Sequence, residues 1–186
     1  ERAGRLPQAA RALARAIAWR PGDFRYHHLL GLVRLRQQQF AASRQALASS
    51  LKLHPHNRAA LEAAGQAWLA EGRADSAAAA FEAALRLDWG RASTWELLAL
   101  ARRQAGQHAA AIRAWKDALR LRPGAPALLN SLAVEYARAG ADSLARAVLE
   151  GALASNPDNV EIAGNLGSLC LAAGQAQRGE HLLLEA

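Results

Sequence analysis

Histidines are the side chains of this sequence that could bind a metal or transfer a proton near neutral pH. His54 and His56 flank Pro55 in a predicted turn, and His27 and His28 are neighbours on a predicted helix, so their rings point to different sides. A zinc site needs three or four ligands that converge on the ion. The sequence contains no Cys/His ligand spacing, no phosphate-cradling glycine loop and no nucleophile elbow. We therefore expect no metal, no cofactor and no catalytic residues, and we interpret the chain as non-enzymatic.

The other reactive side chains also point away from catalysis. Glu62 and Glu96 are separated by 34 residues, and we expect them to line one polar surface rather than to form an acid/base pair. Cys170 is the only cysteine, which excludes an internal disulfide. We predict that it is a small, buried, hydrophobic residue.

The same separation of 34 residues recurs along the chain and identifies the elements that must position these side chains. Three grids share it, and a fixed period of this size is typical of a stacked helical repeat. Turn prolines form one grid, with Trp89 at the point that lacks proline: Pro21, Pro55, Pro123 and Pro157. Glycines form another, with Gln38 as its exception: Gly4, Gly72, Gly106, Gly140 and Gly174. Small residues form the third: Ala9, Ser43, Ala77, Ala111, Ala145 and Gly179.

Each repeat predicts two helices. Apolar residues recur at helical spacing between Ala92 and Ala105, and Gly106 then accepts the left-handed conformation that ends a helix. A second apolar stripe follows, and Pro123 ends it because proline cannot continue a helix. The sequence therefore predicts an all-α fold of helix pairs.

This pattern resembles the tetratricopeptide repeat (TPR), whose signature is Trp, Leu-Gly, Tyr, Ala, Phe, Ala and Pro. Two successive repeats carry matching residues in register: Trp95, Leu98, Ala111, Trp115, Ala118 and Pro123, then Leu132, Tyr136, Ala145, Ala152 and Pro157. The departures are local: His27 and Leu61 replace the first Trp, Arg34 and Arg102 replace the Tyr, and Trp89 replaces a Pro. The resemblance implies a right-handed superhelical solenoid of antiparallel helix pairs, a TPR array.

The period also predicts the domain organisation. We expect a single array over residues 1–186, with partial repeats at 1–23 and 160–186 and full repeats at 24–57, 58–91, 92–125 and 126–159. Solenoids normally end in atypical capping repeats. Because both ends cut through a repeat, we expect the sequence to be a piece of a longer protein.

Charge is distributed unevenly along the chain. Residues 1–58 hold 11 Arg or Lys against two acidic residues, whereas residues 59–186 hold 12 against 14. A basic end favours an acidic partner, although cations such as Lys52, Arg86 and Arg120 also complement helix C-termini. Nucleic acid is disfavoured, because no regular series of aromatic residues is present for base stacking. There is no run of about 20 apolar residues that could span a membrane, and the compartment stays open.

The resemblance implies where a partner would bind. In TPR proteins the first helices of successive repeats line a concave groove that holds a peptide or a partner helix. The matching slots predict these groove residues: Arg25, His28, Leu32, Arg36, Glu62, Gln66, Leu69, Glu96, Leu100, Arg103, Asn130, Val134, Arg138, Asn165 and Ser168. The predicted groove is basic at its N-terminal end, acidic in the middle and apolar along Leu32, Leu100 and Val134.

Two subtypes of the family do not fit. The clamp for the acidic tail of a heat-shock chaperone is absent from its slots, which hold His28, Leu32, Ala63, Ser93 and Leu97. The asparagine ladder of repeats that serve an N-acetylglucosamine transferase is reduced to one Asn, in the series Leu29, Ala63, Leu97, Ser131 and Asn165.

Three hypotheses follow. The first is a non-enzymatic scaffold or adaptor that binds a peptide or a partner helix in its groove. The second is the repeat arm of a larger protein, such as a bacterial polysaccharide- or pilus-export assembly or an enzyme with its catalytic domain elsewhere. The third is end-to-end self-association through uncapped terminal helices.

Overall fold

The computed structural model describes residues 2–185, with side chains described for residues 5–184. These residues form eleven α-helices and no strand. The helices are α1 (Arg2–Trp19), α2 (Phe24–Arg36), α3 (Phe40–Leu53), α4 (Arg58–Ala70), α5 (Ala74–Leu87), α6 (Ala92–Gln104), α7 (His108–Leu121), α8 (Pro126–Arg138), α9 (Asp142–Ser155), α10 (Val160–Ala172) and α11 (Ala176–Glu185). The prediction of an all-α repeat array is confirmed.

The chain divides into two units, Glu1–Ala105 and Gly106–Ala186. In the first unit α2 packs on α3 and α4 on α5, and in the second α8 packs on α9 and α10 on α11. The first helices also touch one another within each unit, since α4 contacts α2 and α6, and α10 contacts α8. The interpretation of residues 1–186 as a single array stays a prediction.

The turn within each repeat uses a left-handed residue at the position of the glycine grid. Gly72, Gly106, Gly140 and Gly174 have φ between 71° and 76°, as expected for the residue that ends a helix. Gln38, the exception in the grid, adopts φ 58° all the same. Gly4 differs from the others and lies inside α1, because that helix already begins at Arg2.

Small residues allow the two helices of a repeat to approach closely in the first unit. A Cβ atom at Gly65 would lie 2.5 Å from Cε1 of Phe81, and one at Gly31 would lie 2.5 Å from Cγ of Leu47. Phe81 and Leu47 are fully buried. Ser43 donates a hydrogen bond of 2.8 Å to the Gly31 carbonyl, which satisfies a buried hydroxyl at the same crossing.

The second unit has its own core. Leu128, Leu149, Ile162 and Leu166 are each about 1% exposed, and Cys170 is fully buried beside them in the sequence slot of the family's Tyr. The prediction that Cys170 is a buried, small, hydrophobic residue is confirmed.

Helix ends carry the predicted caps and charges. The side chains of Asp23, Asn57 and Asn159 accept hydrogen bonds from backbone amides in the first turns of α2, α4 and α10. The side-chain hydrogen bond from Arg25 lowers the pKa of Asp23 to about 2. Basic residues occupy the last turns of the second helices at Lys52, Arg86 and Arg120, as predicted.

Candidate functional site

The predicted groove residues all lie on the first helices, α2, α4 and α6 in the first unit and α8 and α10 in the second. Most are open enough to meet a ligand. The exposed ones are Arg25, Arg36, Gln66, Arg138 and Ser168, and the half-buried ones are His28, Leu32, Leu69, Leu100, Glu62, Glu96, Arg103, Val134 and Asn165. Asn130 is the exception, since only 5% of it is exposed.

Glu62 is held in a polar network between α4 and α6. Arg58 donates a hydrogen bond of 2.6 Å to the Glu62 carboxylate, and the Thr94 hydroxyl donates one of 2.5 Å to the same oxygen. Arg58 also lies 3.7 Å from Asp88. The middle of the predicted groove therefore presents a partly neutralised carboxylate, and Glu62 connects two successive first helices. Sequence spacing placed Glu62 on this surface, but it did not identify Thr94 or Arg58 as partners.

His28 and Leu32 contribute less open surface than the sequence suggests. Burial lowers the pKa of His28, which favours the neutral imidazole, and its Nε2 has no hydrogen-bond partner among the described residues. Leu32 packs partly against the cluster of Leu47, Ala60 and Ala63. Leu32 therefore serves the core of the first unit as well as its surface.

A pocket of about 310 Å³ lies between α8 and α10, over α9. Its apolar lining comes from Ala133, Val134, Ala137, Leu149 and Leu169. Arg138, Asn165 and Ser168 complete the lining and supply its polar groups. The structure thus brings together four of the predicted residues: Val134, Arg138, Asn165 and Ser168.

Sequence reasoning missed the other lining residues of this pocket. Ala137 could have been found, because it stands 34 residues after Arg103 and 68 after Leu69, which are both predicted groove residues. Ala133 and Leu169 could not, because they line the pocket from positions next to the predicted Val134 and Ser168. Leu149 reaches the pocket from the second helix α9.

A chain of amide hydrogen bonds fixes the polar side of this face. Asn165 donates a hydrogen bond of 2.7 Å to Oδ1 of Asn130, and Asn130 donates one of 2.6 Å to the Glu161 carboxylate. These bonds connect α8 with α10 and explain how Asn130 is buried without an unsatisfied amide. The Oδ1 atom of Asn165 keeps its capacity to accept a hydrogen bond at the pocket.

The arrangement suits binding rather than chemistry. An apolar floor can take an aliphatic side chain, while one amide, one hydroxyl and one guanidinium can fix the orientation of a ligand. Among residues 2–185 no three His, Cys, Asp or Glu side chains are grouped as a metal site would require. None of the described helices is both long and apolar enough to cross a membrane.

Stacked helix pairs with an open face on their first helices define the chain as a helical-repeat scaffold. Residues 28–92, 97–150 and 143–186 match the family model of the tetratricopeptide repeat. The chain belongs to the tetratricopeptide repeat family. Repeats of this family are protein-interaction scaffolds that bind proteins or peptides and are typically non-catalytic.

Solved structures with the same fold are distant in sequence. MamA from Desulfovibrio magneticus RS-1 is 20% identical, with a TM-score of 0.78 over 85% of this chain and 89% of that chain. YrrB, described as a TPR protein with an unusual peptide-binding site, is 16% identical, with a TM-score of 0.77 over 95% and 91%. The C-terminal part of a TPR repeat-containing protein from Cytophaga hutchinsonii is 12% identical, with a TM-score of 0.85 over 99% and 74%. No curated protein matches the chain in sequence.

Proposed function

We propose that this chain is a non-enzymatic scaffold that binds an extended peptide of a partner protein on the face of its first helices. The observation that carries the proposal is the α8–α10 pocket, in which four predicted groove residues meet an apolar floor. A peptide-binding site on YrrB, which has the same fold, supports this choice of ligand.

The lining of the pocket indicates the kind of peptide. Val134, Ala137 and Leu169 offer an apolar surface of the size of one aliphatic side chain. Asn165 can accept a hydrogen bond from a peptide amide beside that side chain, as an extended backbone requires. Arg138 is exposed at the rim, where its guanidinium favours a neighbouring carboxylate. The preferred peptide therefore carries an aliphatic residue flanked by an acidic one.

The face of the first unit contributes polar recognition in this proposal. Glu62 is already hydrogen-bonded by Arg58 and Thr94, so its orientation is fixed before a ligand arrives. A preorganised polar group loses less conformational entropy on binding than a mobile one. Glu62 and Gln66 are the residues of α4 that we expect to contact a peptide there.

The test is a selection of peptides from a random display library on the immobilised chain, followed by affinity measurement by fluorescence anisotropy. Ala137→Phe fills the α8–α10 pocket without a change of charge, and we expect it to weaken the selected peptides by about tenfold or more. Ala147→Phe is the matched control, because Ala147 is exposed on α9 and does not line the pocket.

Two further outcomes decide the proposal. Selected peptides should share an aliphatic residue, and Arg138→Glu should weaken those with an acidic neighbour. Equal affinity of the Ala137→Phe variant and the original chain for every selected peptide would rule out the pocket as the binding site.

A further inference from the structure

A second cleft lies in the first unit, on second helices rather than first helices. It has a volume of about 330 Å³ and is formed by α1 and α3 with α2 between them. Ala14 and Ile17 on α1, Leu30 on α2 and Ala46 on α3 supply apolar lining, and His27 and Arg34 on α2 supply polar lining. None of these residues belongs to the predicted groove.

The cleft exists where the chain departs from the family pattern. The family has Trp and Tyr in the slots of His27 and Arg34. In the next repeat Trp68 occupies the Tyr slot, half-buried between the guanidinium groups of Arg44 at 3.7 Å and Arg73 at 4.5 Å. The second unit has Tyr136 there, which is buried. At α2 no aromatic ring of this kind fills the space.

The two polar side chains that replace these rings are bonded to the turns next to α2. His27 Nε2 lies 3.0 Å from the Pro21 carbonyl, in the turn before the helix. Nη1 of Arg34 donates to the side chains of Gln37 and Gln39, in the turn after it. Both partners of Arg34 are neutral amides, so the guanidinium keeps its full positive charge.

The surroundings of the cleft are basic without compensation. The sequence of α1, α2 and α3 contains no Asp or Glu. Arg11 and Arg15 on α1 and Lys52 on α3 are exposed, and they form no ion pair within the part of the chain that the structure describes. Arg11 stands one helical turn before Ala14, which lines the cleft.

We propose that the α1–α3 cleft is a second docking site, which binds an acidic amphipathic segment of a partner protein. The segment places an aliphatic side chain against Ile17 and Leu30, and its carboxylates meet Arg34 and Arg11. Opposite charge gives such a contact its orientation and its rate of association, and the apolar floor retains it. This site is independent of the α8–α10 pocket.

Nucleic acid fits the cleft less well than an acidic protein segment. Proteins that hold single strands stack bases on aromatic side chains, and no Trp, Tyr or Phe lines this cleft. Its small apolar floor suits an aliphatic side chain instead.

The test uses labelled synthetic peptides about three helical turns long, with the full chain and fluorescence anisotropy. The probe has Leu and Glu at helical spacing. One control peptide replaces every Leu by Ser and keeps the charge, and the other replaces every Glu by Gln and keeps the apolar face. We expect the probe to bind and each control peptide to bind about tenfold more weakly or less, at an ionic strength of about 0.1 M.

Two matched variants locate the binding. Ala14→Phe fills the cleft without a change of charge and should weaken the probe about tenfold, whereas Ala12→Phe, at an exposed position of the same helix outside the cleft, should leave it unchanged. Arg34→Gln should weaken the probe and leave the Gln control peptide unaffected. Circular dichroism verifies that each variant is helical.

Several results would overturn the proposal. Equal binding of the probe and the Ser control peptide would show a general attraction of anions. Unchanged binding of the probe to Ala14→Phe would place it elsewhere. Duplex DNA that binds more tightly than the probe, with no effect of Ala14→Phe, would identify the basic surface as a nucleic-acid site.

Discussion

At the scale of single residues, Gln38 occupies a position that the repeat reserves for glycine. Its φ of 58° lies in the left-handed region, as do the φ angles of Gly72, Gly106 and Gly140. A side chain with a Cβ atom is disfavoured there, because the Cβ atom approaches the following carbonyl oxygen. Gln38 therefore stores a local strain that the glycine grid reveals from sequence alone.

We predict that Gln38→Gly raises the free energy of unfolding by about 1 kcal/mol, because it removes this strain. The reverse change, Gly140→Gln, should lower it by a similar amount, and no heavy atom within 4 Å of the added Cβ complicates the comparison. Urea unfolding followed by circular dichroism measures both values. A loss of stability in Gln38→Gly would contradict this account of the turn.

At the scale of helices, α8 carries a buried carboxylate that faces α7. Glu135 is fully buried, and its Oε1 lies 2.6 Å from Nδ1 of His108. Its Oε2 has no hydrogen-bond partner among the described residues. The equivalent positions of other repeats are apolar, such as Ala101 and Leu169, so the second unit includes a polar contact that the repeat does not require.

We predict that His108→Ala destabilises the protein by about 1–3 kcal/mol, because the buried carboxylate loses its remaining partner. Glu135→Leu should be nearly neutral or stabilising, because an apolar residue of similar volume replaces a buried polar group. Combining both changes should give the stability of Glu135→Leu alone. Urea unfolding of the three variants is the measurement, and an equal loss in His108→Ala and Glu135→Leu would show that the pair itself stabilises the fold.

The helices themselves could be predicted from the sequence, because the period determines them. α2, α4, α6, α8 and α10 begin at the predicted repeat starts Phe24, Arg58, Ala92, Pro126 and Val160. Small residues such as Gly65 predicted close helix packing. The bond from Thr94 to Glu62 and the pairing of His108 with Glu135 could not be predicted, since each depends on side-chain conformations in different repeats.

At the scale of the whole molecule, charge and apolar surface are distributed over different parts of the chain. Residues 1–58 carry a formal charge of +9 and residues 59–186 one of −2, from the counts of their charged residues. The basic cleft lies in the first unit, and the apolar pocket lies in the second. The uneven charge was visible in the sequence.

The division into units and the two cavities could not be predicted from the sequence. The period runs through Ala105 and Gly106 without interruption, although the boundary between the units falls there. A cavity depends on which side chains leave space between helices, as at His27 and Arg34. Sequence slots place a residue on a face, but they do not show how far its side chain fills the adjacent space.

The most direct test of the central claim is a map of amide chemical-shift changes in the ¹⁵N-labelled chain during titration with a library-selected peptide. We expect the largest changes on α8 and α10, at Ala133, Val134, Ala137, Ser168 and Leu169, with smaller changes on the exposed side of α4. The same titration of the Ala137→Phe variant should lose the changes on α8 and α10. Changes confined to the second helices, with α8 and α10 unaffected, would contradict the proposal that the first helices form the binding face.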